Sequence, residues 1–215
     1  MTSSRARETP LQIVYQDEQL LVLDKPSGLL AVPGRGPDLQ DCLSARAQAQ
    51  FPTALVVHRL DRDTSGLLVM ALDAATQRAL NRQFAAQQVS KRYVAVVFGS
   101  PPTDAGIIDL PMRKDFDNPP RHMIDLEQGR AARTEWRAIE RQADRARLEV
   151  SPKTGRSHQI RLHLRTIGHP ILGDNLYAPP HALAMSDRLL LHAEELCLTH
   201  PASGQEITWR SLCPF

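Results

Sequence analysis

The sequence predicts an α+β fold, a mostly antiparallel, mixed central β-sheet flanked by helices and loops. Three observations carry this expectation. Short apolar runs rich in β-branched residues recur along the chain, among them LQIVYQD (11–17), LLVLDKP (20–26), ALVVH (54–58), GLLVMAL (66–72) and KRYVAVVFG (91–99). Helical character is confined to a few stretches. The runs ARTEWRAIE (132–140) and ARLEVS (146–151) are close enough in sequence to form an antiparallel pair. Many strands with few helices suit a sheet with helices packed on it.

The elements follow in order. MTSSRARETP (1–10) reads as a flexible lead, and residues 11–215 as one domain. The first two strands end in the Pro- and Gly-rich turns of KPSGLLAVPGRGPD. Residues 39–50 are rich in helix formers. Asp73 is placed to cap a helix reaching about Gln87, with Leu80 and Phe84 on its apolar stripe. Residues 101–130 read as loop-rich and basic in places (PMRKDFDNPPRH, 111–122), and a loop of that length in a compact domain is often functional. Ser157 is expected to cap a short helix, SHQIRLHLRTI, that stops at Gly168. Two tail strands lie near 189–198 and 206–211.

Composition narrows the class. Apolar residues make up 42% and charged residues 23%, which excludes wholesale disorder. The net charge of +2 does not mark a nucleic-acid binder, but its distribution is uneven. From Arg113 to Arg165 there are 13 Lys/Arg against 8 Asp/Glu, a bias able to supply a phosphate-facing surface; on charge alone, ordinary solvated surface is the commoner reason for it. Cys42, Cys197 and Cys213 are odd in number and widely spaced, so they suggest neither a disulfide framework nor a zinc site. The N-terminus lacks the apolar core of a signal peptide, and no apolar run approaches the ~20 residues needed to cross a bilayer. A cytoplasmic protein without membrane association is expected.

Two clusters carry chemistry. HRLDRDTSG (58–66) concentrates charge in a tight connection between two apolar strands, where a rigid scaffold can position reactive groups. On residue types alone, Asp61 between Arg59 and Arg62 admits three readings: nucleophile, metal ligand or ion-pair partner. TGRSHQIRLHL (154–164) gathers Arg156, His158, Gln159, Arg161 and His163 near a helix start, where backbone N–H groups favour anions. The spacing of His158 and His163 is not that of helical zinc ligands, and no HExxH pattern is present. No metal is expected.

HRLDRDTSGLLV, KRYVAVV and TGRSHQIRLHL followed by GHPILGD resemble, in order and spacing, the motifs of the RluA family of pseudouridine synthases. The resemblance runs from YQDEQLLVLDKPSGLLAVPGR to RLLLHAEELCLTHP, nearly the whole chain. It implies the pseudouridine synthase catalytic fold and the conversion of uridine to pseudouridine in structured RNA, with no cofactor. Residue by residue, it implies that Asp61 is the catalytic aspartate and that Arg59 enters the RNA and holds the flipped-out nucleotide. It implies that Tyr93 stacks near the target base and that Arg161 pairs with the catalytic carboxylate. Ile160 and Leu162 become candidate pocket lining, and Arg156 a candidate substrate contact. His58 joins the substrate-side group as a residue that orients the loop rather than as a general base. His163 is expected to pack the helix, and Asp63 lies beside the chemistry without carrying it. One pocket would then be built from the segments around 59–61, 93 and 161.

The reaction explains these residue types. The uracil N-glycosidic bond breaks, the base turns, and a carbon–carbon bond forms; water must stay out or the base is lost. A carboxylate can act as a covalent nucleophile. Attack on C1′, addition to C6 and a glycal route all remain open. Burial favours the neutral acid and an adjacent guanidinium favours the carboxylate, so Arg161 is expected to keep Asp61 ionised. The compact length, KPSGLLAVPGR and DFDNPPRHMID (115–125) resemble members of dual specificity, which act on the anticodon stem-loop of tRNA and a hairpin of 23S rRNA. There is no room for an S4 domain before LQIVYQDEQL, and nothing demands more than a monomer. The competing readings are a catalytically silent RNA-binding protein of this fold, a synthase restricted to rRNA, and a hydrolase pairing Asp61 with Asp63.

Overall fold

The computed structural model describes residues 10–215; except for Pro10, the expected flexible lead lies outside them. The chain divides into two compact units. One runs up to Ser90 and includes Ala193–Cys213; the other comprises Lys91–His192 with Pro214–Phe215.

In the first unit, β1 (Gln12–Gln16) and β2 (Leu20–Lys25) form an antiparallel hairpin. Asp17 makes the turn, its Oδ1 accepting the N–H groups of Gln19 and Leu20, both at 2.7 Å. β4 (Ser65–Ala71) is buried throughout and pairs antiparallel with β2, from Leu20 opposite Ala71 to Lys25 opposite Gly66. The short β3 (Leu55–Val56) also pairs with β4, and β11 (Leu191–Thr199) pairs with β12 (Glu206–Arg210). α1 spans Leu43–Gln50, beginning later than the expected Leu39. Pro37–Leu39 instead makes one 3-10 turn, and the Cys42 sulfur accepts the Ala45 N–H at 3.4 Å as the cap. Asp73 caps α2 (Ala74–Ala85) as expected, accepting from Ala75 and Thr76 at 2.7 and 2.9 Å. The helix stops short of Gln87 because that residue takes a left-handed backbone (φ 58). Leu20, Val22, Leu67, Val69, Leu80 and Trp209 anchor the core of this unit.

In the second unit the strand order is β5 (Ser90–Phe98), β10 (Arg145–Pro152), β9 (Arg133–Arg141), β6 (Ala105–Asp109), each neighbouring pair antiparallel. The pair read from 132–140 and 146–151 is therefore present. The loop-rich reading of 101–130 is corrected: β6 lies there, and β7 (Met112–Lys114) pairs with β8 (His122–Ile124) as a two-stranded ribbon. These strands are too short to show a period in sequence. α3 spans Gln159–Thr166, and His158, not Ser157, precedes it as cap residue with φ 59. α4 (Pro180–Leu183) is a single unexpected turn. α3 packs Ile160 and Leu164 on a cluster with Ala95, Val97, Leu148 and Val150. Leu162 instead meets Met112, Ala132 and Tyr177. Full burial of each such aliphatic side chain contributes about 1.5–3 kcal/mol. Both faces of the helix are thus fixed. No helix among the described residues is long and apolar enough to cross a membrane.

Candidate active-site segments

The loop carrying Asp61 connects β3 to β4, and three contacts from the KPSG turn after β2 hold it. Lys25 is fully buried, and its ammonium donates to the carbonyls of Pro26 (2.9 Å), Leu29 (2.7 Å) and Arg62 (2.8 Å). An ammonium has three donors, so three carbonyls can offset its lost hydration. The Arg62 carbonyl also receives the Gly28 N–H at 3.0 Å, while Arg62 Nε returns a bond to the Gly28 carbonyl at 3.0 Å. Ser27 Oγ donates to the Asp63 carbonyl at 2.7 Å. Leu60 is buried between exposed Arg59 and half-buried Asp61, anchoring the loop from within.

The far side of the loop is equally constrained. His58 Nε2 accepts the Val69 N–H at 3.0 Å, and its ring stacks on Phe84 with centroids 4.7 Å apart. That lone pair is committed to the backbone and is not available to a proton in transit. Gly66 has φ 107, and a Cβ there would stand 2.3 Å from the Ala193 carbonyl oxygen. A side chain at this position would collide with backbone as well as strain it.

The second unit holds the remaining candidates. Tyr93 lies on β5 opposite Val150, half-buried, and packs against the same apolar cluster as Ile160. Arg161, on α3, is 2% exposed. Its Nε and Nη2 donate to Asp174 Oδ2 and Oδ1 at 2.9 and 2.7 Å, and Nη2 also reaches Asn175 Oδ1 at 3.1 Å. The Tyr177 ring lies 5.5 Å from its Cζ. Asp174 is itself fully buried and accepts the N–H groups of Leu176 and Tyr177 at 2.9 and 3.1 Å. A buried ion pair is tolerated only when such further bonds satisfy it. The Tyr177 hydroxyl accepts the His122 N–H at 2.8 Å and meets His158 Nδ1 at 2.9 Å, tying the ribbon and the helix start to this pair.

The other residues of TGRSHQIRLHL divide between packing and the loop. Ile160 and Leu162 are both buried in the core, Ile160 in the same cluster that Tyr93 packs against. His163 is fully buried, bonded to Thr134 Oγ1 (2.9 Å) and the Leu110 carbonyl (3.0 Å), and burial pushes its pKa down. Arg156 is half-buried, with Nε donating to the Ala131 carbonyl at 3.1 Å. Thus Arg59, Asp61 and His58 share one loop in the first unit, while Tyr93, Ile160, Leu162, Arg161 and Arg156 belong to the second. Sequence reasoning missed Lys25 and Asp174. The available signals were a lysine ending an apolar strand and an aspartate ending GHPILGD. Among the described residues, no group of three or more His, Cys, Asp or Glu side chains could hold a metal ion.

Comparison with known proteins adds the family. Residues 19–166 match the model of the RNA pseudouridylate synthase family. The chain is 48% identical to the dual-specificity RNA pseudouridine synthase RluA of Escherichia coli (strain K12), over 97% of this chain and 96% of that protein. It is also 48% identical to the protein of the same name from Yersinia pestis, over 94% and 99%. Among solved structures, human RNA Pseudouridylate Synthase Domain Containing 1 superposes with a TM-score of 0.80 at 27% identity, covering 95% of this chain and 84% of that one.

Proposed function

The chain belongs to the RNA pseudouridylate synthase family, and from that premise we propose that it isomerises uridines in both tRNA and 23S rRNA, with Asp61 as its nucleophile. The observation that carries the dual specificity is the likeness, at 48% identity, to synthases of that name over 94–97% of this chain and 96–99% of theirs. The chemistry needs no oxidant or reductant. The bond between uracil N1 and ribose C1′ breaks, the base turns, C5 bonds to C1′, the C5 proton leaves and N1 takes up a proton, so that the product is an isomer of the substrate.

Each candidate then has a role. Asp61 reacts as the carboxylate, supported by a loop whose following carbonyl is held by two donors. Arg59, exposed on that loop, fills the gap left by the extruded nucleotide, which costs a few kcal/mol to unstack. Tyr93 stacks on the extruded base, worth roughly 1–3 kcal/mol. Arg161 supplies positive charge to the reaction, and Asp174 is its positioning residue. Short hairpins read by shape and by splayed loop bases suit recognition by this catalytic domain. The proposal places the protein in the cytoplasm, where both RNAs are found, and as a monomer, since one chain carries every assigned residue.

The test is tritium release from RNA labelled at uridine C5, together with mapping of pseudouridine in tRNA and 23S rRNA. A deletion strain is compared with strains restored by the wild type or by Asp61→Ala. Wild type should restore sites in both RNAs and Asp61→Ala in neither. Sites restored only in rRNA would remove the dual specificity; restoration by Asp61→Ala would remove the nucleophile.

A further inference from the structure

Most arginines on the exposed strands of the second unit have an acidic partner: Arg133 with Asp109, Arg137 with Glu149, Arg141 with Asp104, Arg145 with Asp144. Arg130 and Arg156 differ. Among the described residues, no carboxylate lies within ion-pair distance of either. They are nonetheless neighbours. Arg156 Nε donates to the carbonyl of Ala131, the residue after Arg130, which brings its guanidinium alongside.

Both are held from the backbone. Arg130 exchanges two bonds with Met112 on β7, at 2.9 and 3.0 Å. The loop before α3 is pinned by Gln159, only 3% exposed. Its Oε1 accepts the Arg156 N–H (3.0 Å) and the Thr154 hydroxyl (2.7 Å), and its Nε2 donates to the Arg133 carbonyl and Thr134 Oγ1, both at 3.0 Å. Two arginines are therefore carried on pinned, neighbouring backbone, with no carboxylate within ion-pair distance of either among the described residues.

We propose that Arg130 and Arg156 form a clamp for a backbone phosphate of the substrate RNA. The inference rests on the RNA reading above. A guanidinium presents paired N–H donors that match two phosphate oxygens. With Nε of Arg156 bonded to Ala131, its two Nη groups remain as donors for such an acceptor. Holding both residues in place before binding reduces the ordering cost of the complex. The pKa of Arg156 is pushed down, chiefly by desolvation and further by the like charge of Arg130, the strain an incoming anion relieves. The contact reads no base, so it sets register and affinity for any RNA hairpin of suitable shape.

The experiment measures affinity of the full chain carrying Asp61→Ala, which blocks turnover, for an unmodified tRNA anticodon stem-loop transcript at several salt concentrations. Each phosphate contact contributes about 0.7–0.9 to the slope of log K against log salt. Arg130→Gln and Arg156→Gln should each flatten the slope by part of that amount, and the double substitution by about the whole of it, because both arginines hold the same phosphate. Arg130→Lys and Arg156→Lys, which keep the charge, should retain the slope, as should Arg145→Gln, whose arginine is already paired with Asp144. Thermal melts accompany each variant, and exposed Arg130 is the position most tolerant of change. Unchanged slopes in both Gln variants and their double overturn the clamp, as does a flattened slope in both Lys variants. Wild-type tritium release is followed in parallel. Release with unchanged slopes removes the clamp alone, whereas neither release nor binding removes the RNA reading with it.

Discussion

The loop that carries Asp61 and the helix that carries Arg161 are both held by a buried charge, but the charge is satisfied in opposite ways. In the loop, the Lys25 ammonium is surrounded by neutral carbonyl dipoles, three of them within 2.9 Å. On the helix, the guanidinium of Arg161 is matched by a formal counter-charge, the Asp174 carboxylate. The first device shapes backbone, because each carbonyl belongs to the turn or the loop being folded. The second aims a side chain, because a bidentate pair fixes the plane of the guanidinium. A nucleophile on a short polar connection needs its backbone held; a cation on a regular helix already has its backbone and needs only its side-chain direction.

The largest effect separates reaction from scaffold. Asp61→Ala should reduce tritium release to background while shifting stability by no more than about 1 kcal/mol, because Lys25, Ser27 and Leu60 hold the loop. A collapse of the thermal melt in this variant would show that the carboxylate itself supports the loop. Next comes Asp174→Asn. It strands a buried guanidinium beside a neutral amide, at a cost of about 3–5 kcal/mol. In a chain of this size that lowers the melting temperature by roughly 6–20 °C. A normal melt combined with normal turnover would contradict the role given to Asp174. Lys25→Met is smaller, since the apolar replacement fills the volume while the bonds to carbonyl groups are lost, roughly 2–4 kcal/mol. Its signature should be kinetic: kcat falling roughly 100-fold from a displaced loop. If kcat stays within twofold while stability drops, Lys25 supports the fold but does not position Asp61.

How much of this was legible follows from the same contrast. The strands around β2, β4, β5, β9 and β10 could be read because their apolar runs are long enough to show a pattern. The three-residue β7 and β8 could not, with Pro111 directly before β7 and Pro119 and Pro120 in the connection between the two. Asp73 worked as a cap because its side chain bonds its own helix, a local event. Ser157 did not, because the conformation of His158 answers to Tyr177, nineteen residues on. In the site, HRLDRDTSG was visible as charge between apolar strands. Lys25 and Asp174 were not, since a buried charge is recognised only by partners brought from elsewhere in the fold, here Arg62 for one and Arg161 for the other.

The smallest effect comes from the same pair of residue types at the surface. Arg113 on β7 bonds Asp125, just after β8, as Arg161 bonds Asp174 in the core, but this pair is only half-buried. The hydrogen bond from Arg113 comes first among the causes that hold the Asp125 carboxyl at about 2, helped by the N–H groups of Gln128 and Glu127. A carboxyl lowered on folding contributes stability that is fully present above its ordinary value near 3.8 and is lost as the pH falls through about 2. Arg113→Ala should raise the Asp125 midpoint toward that ordinary value, so the same stability disappears at higher pH. An NMR titration of the Asp125 carboxyl measures this directly. At neutral pH turnover should be unchanged, because the pair touches none of the assigned residues and water partly screens it. A midpoint still near 2 in the variant would mean that the turn amides hold the carboxylate without the arginine. The ribbon would then resemble the Lys25 site, a charge fixed by backbone, rather than the Arg161 site.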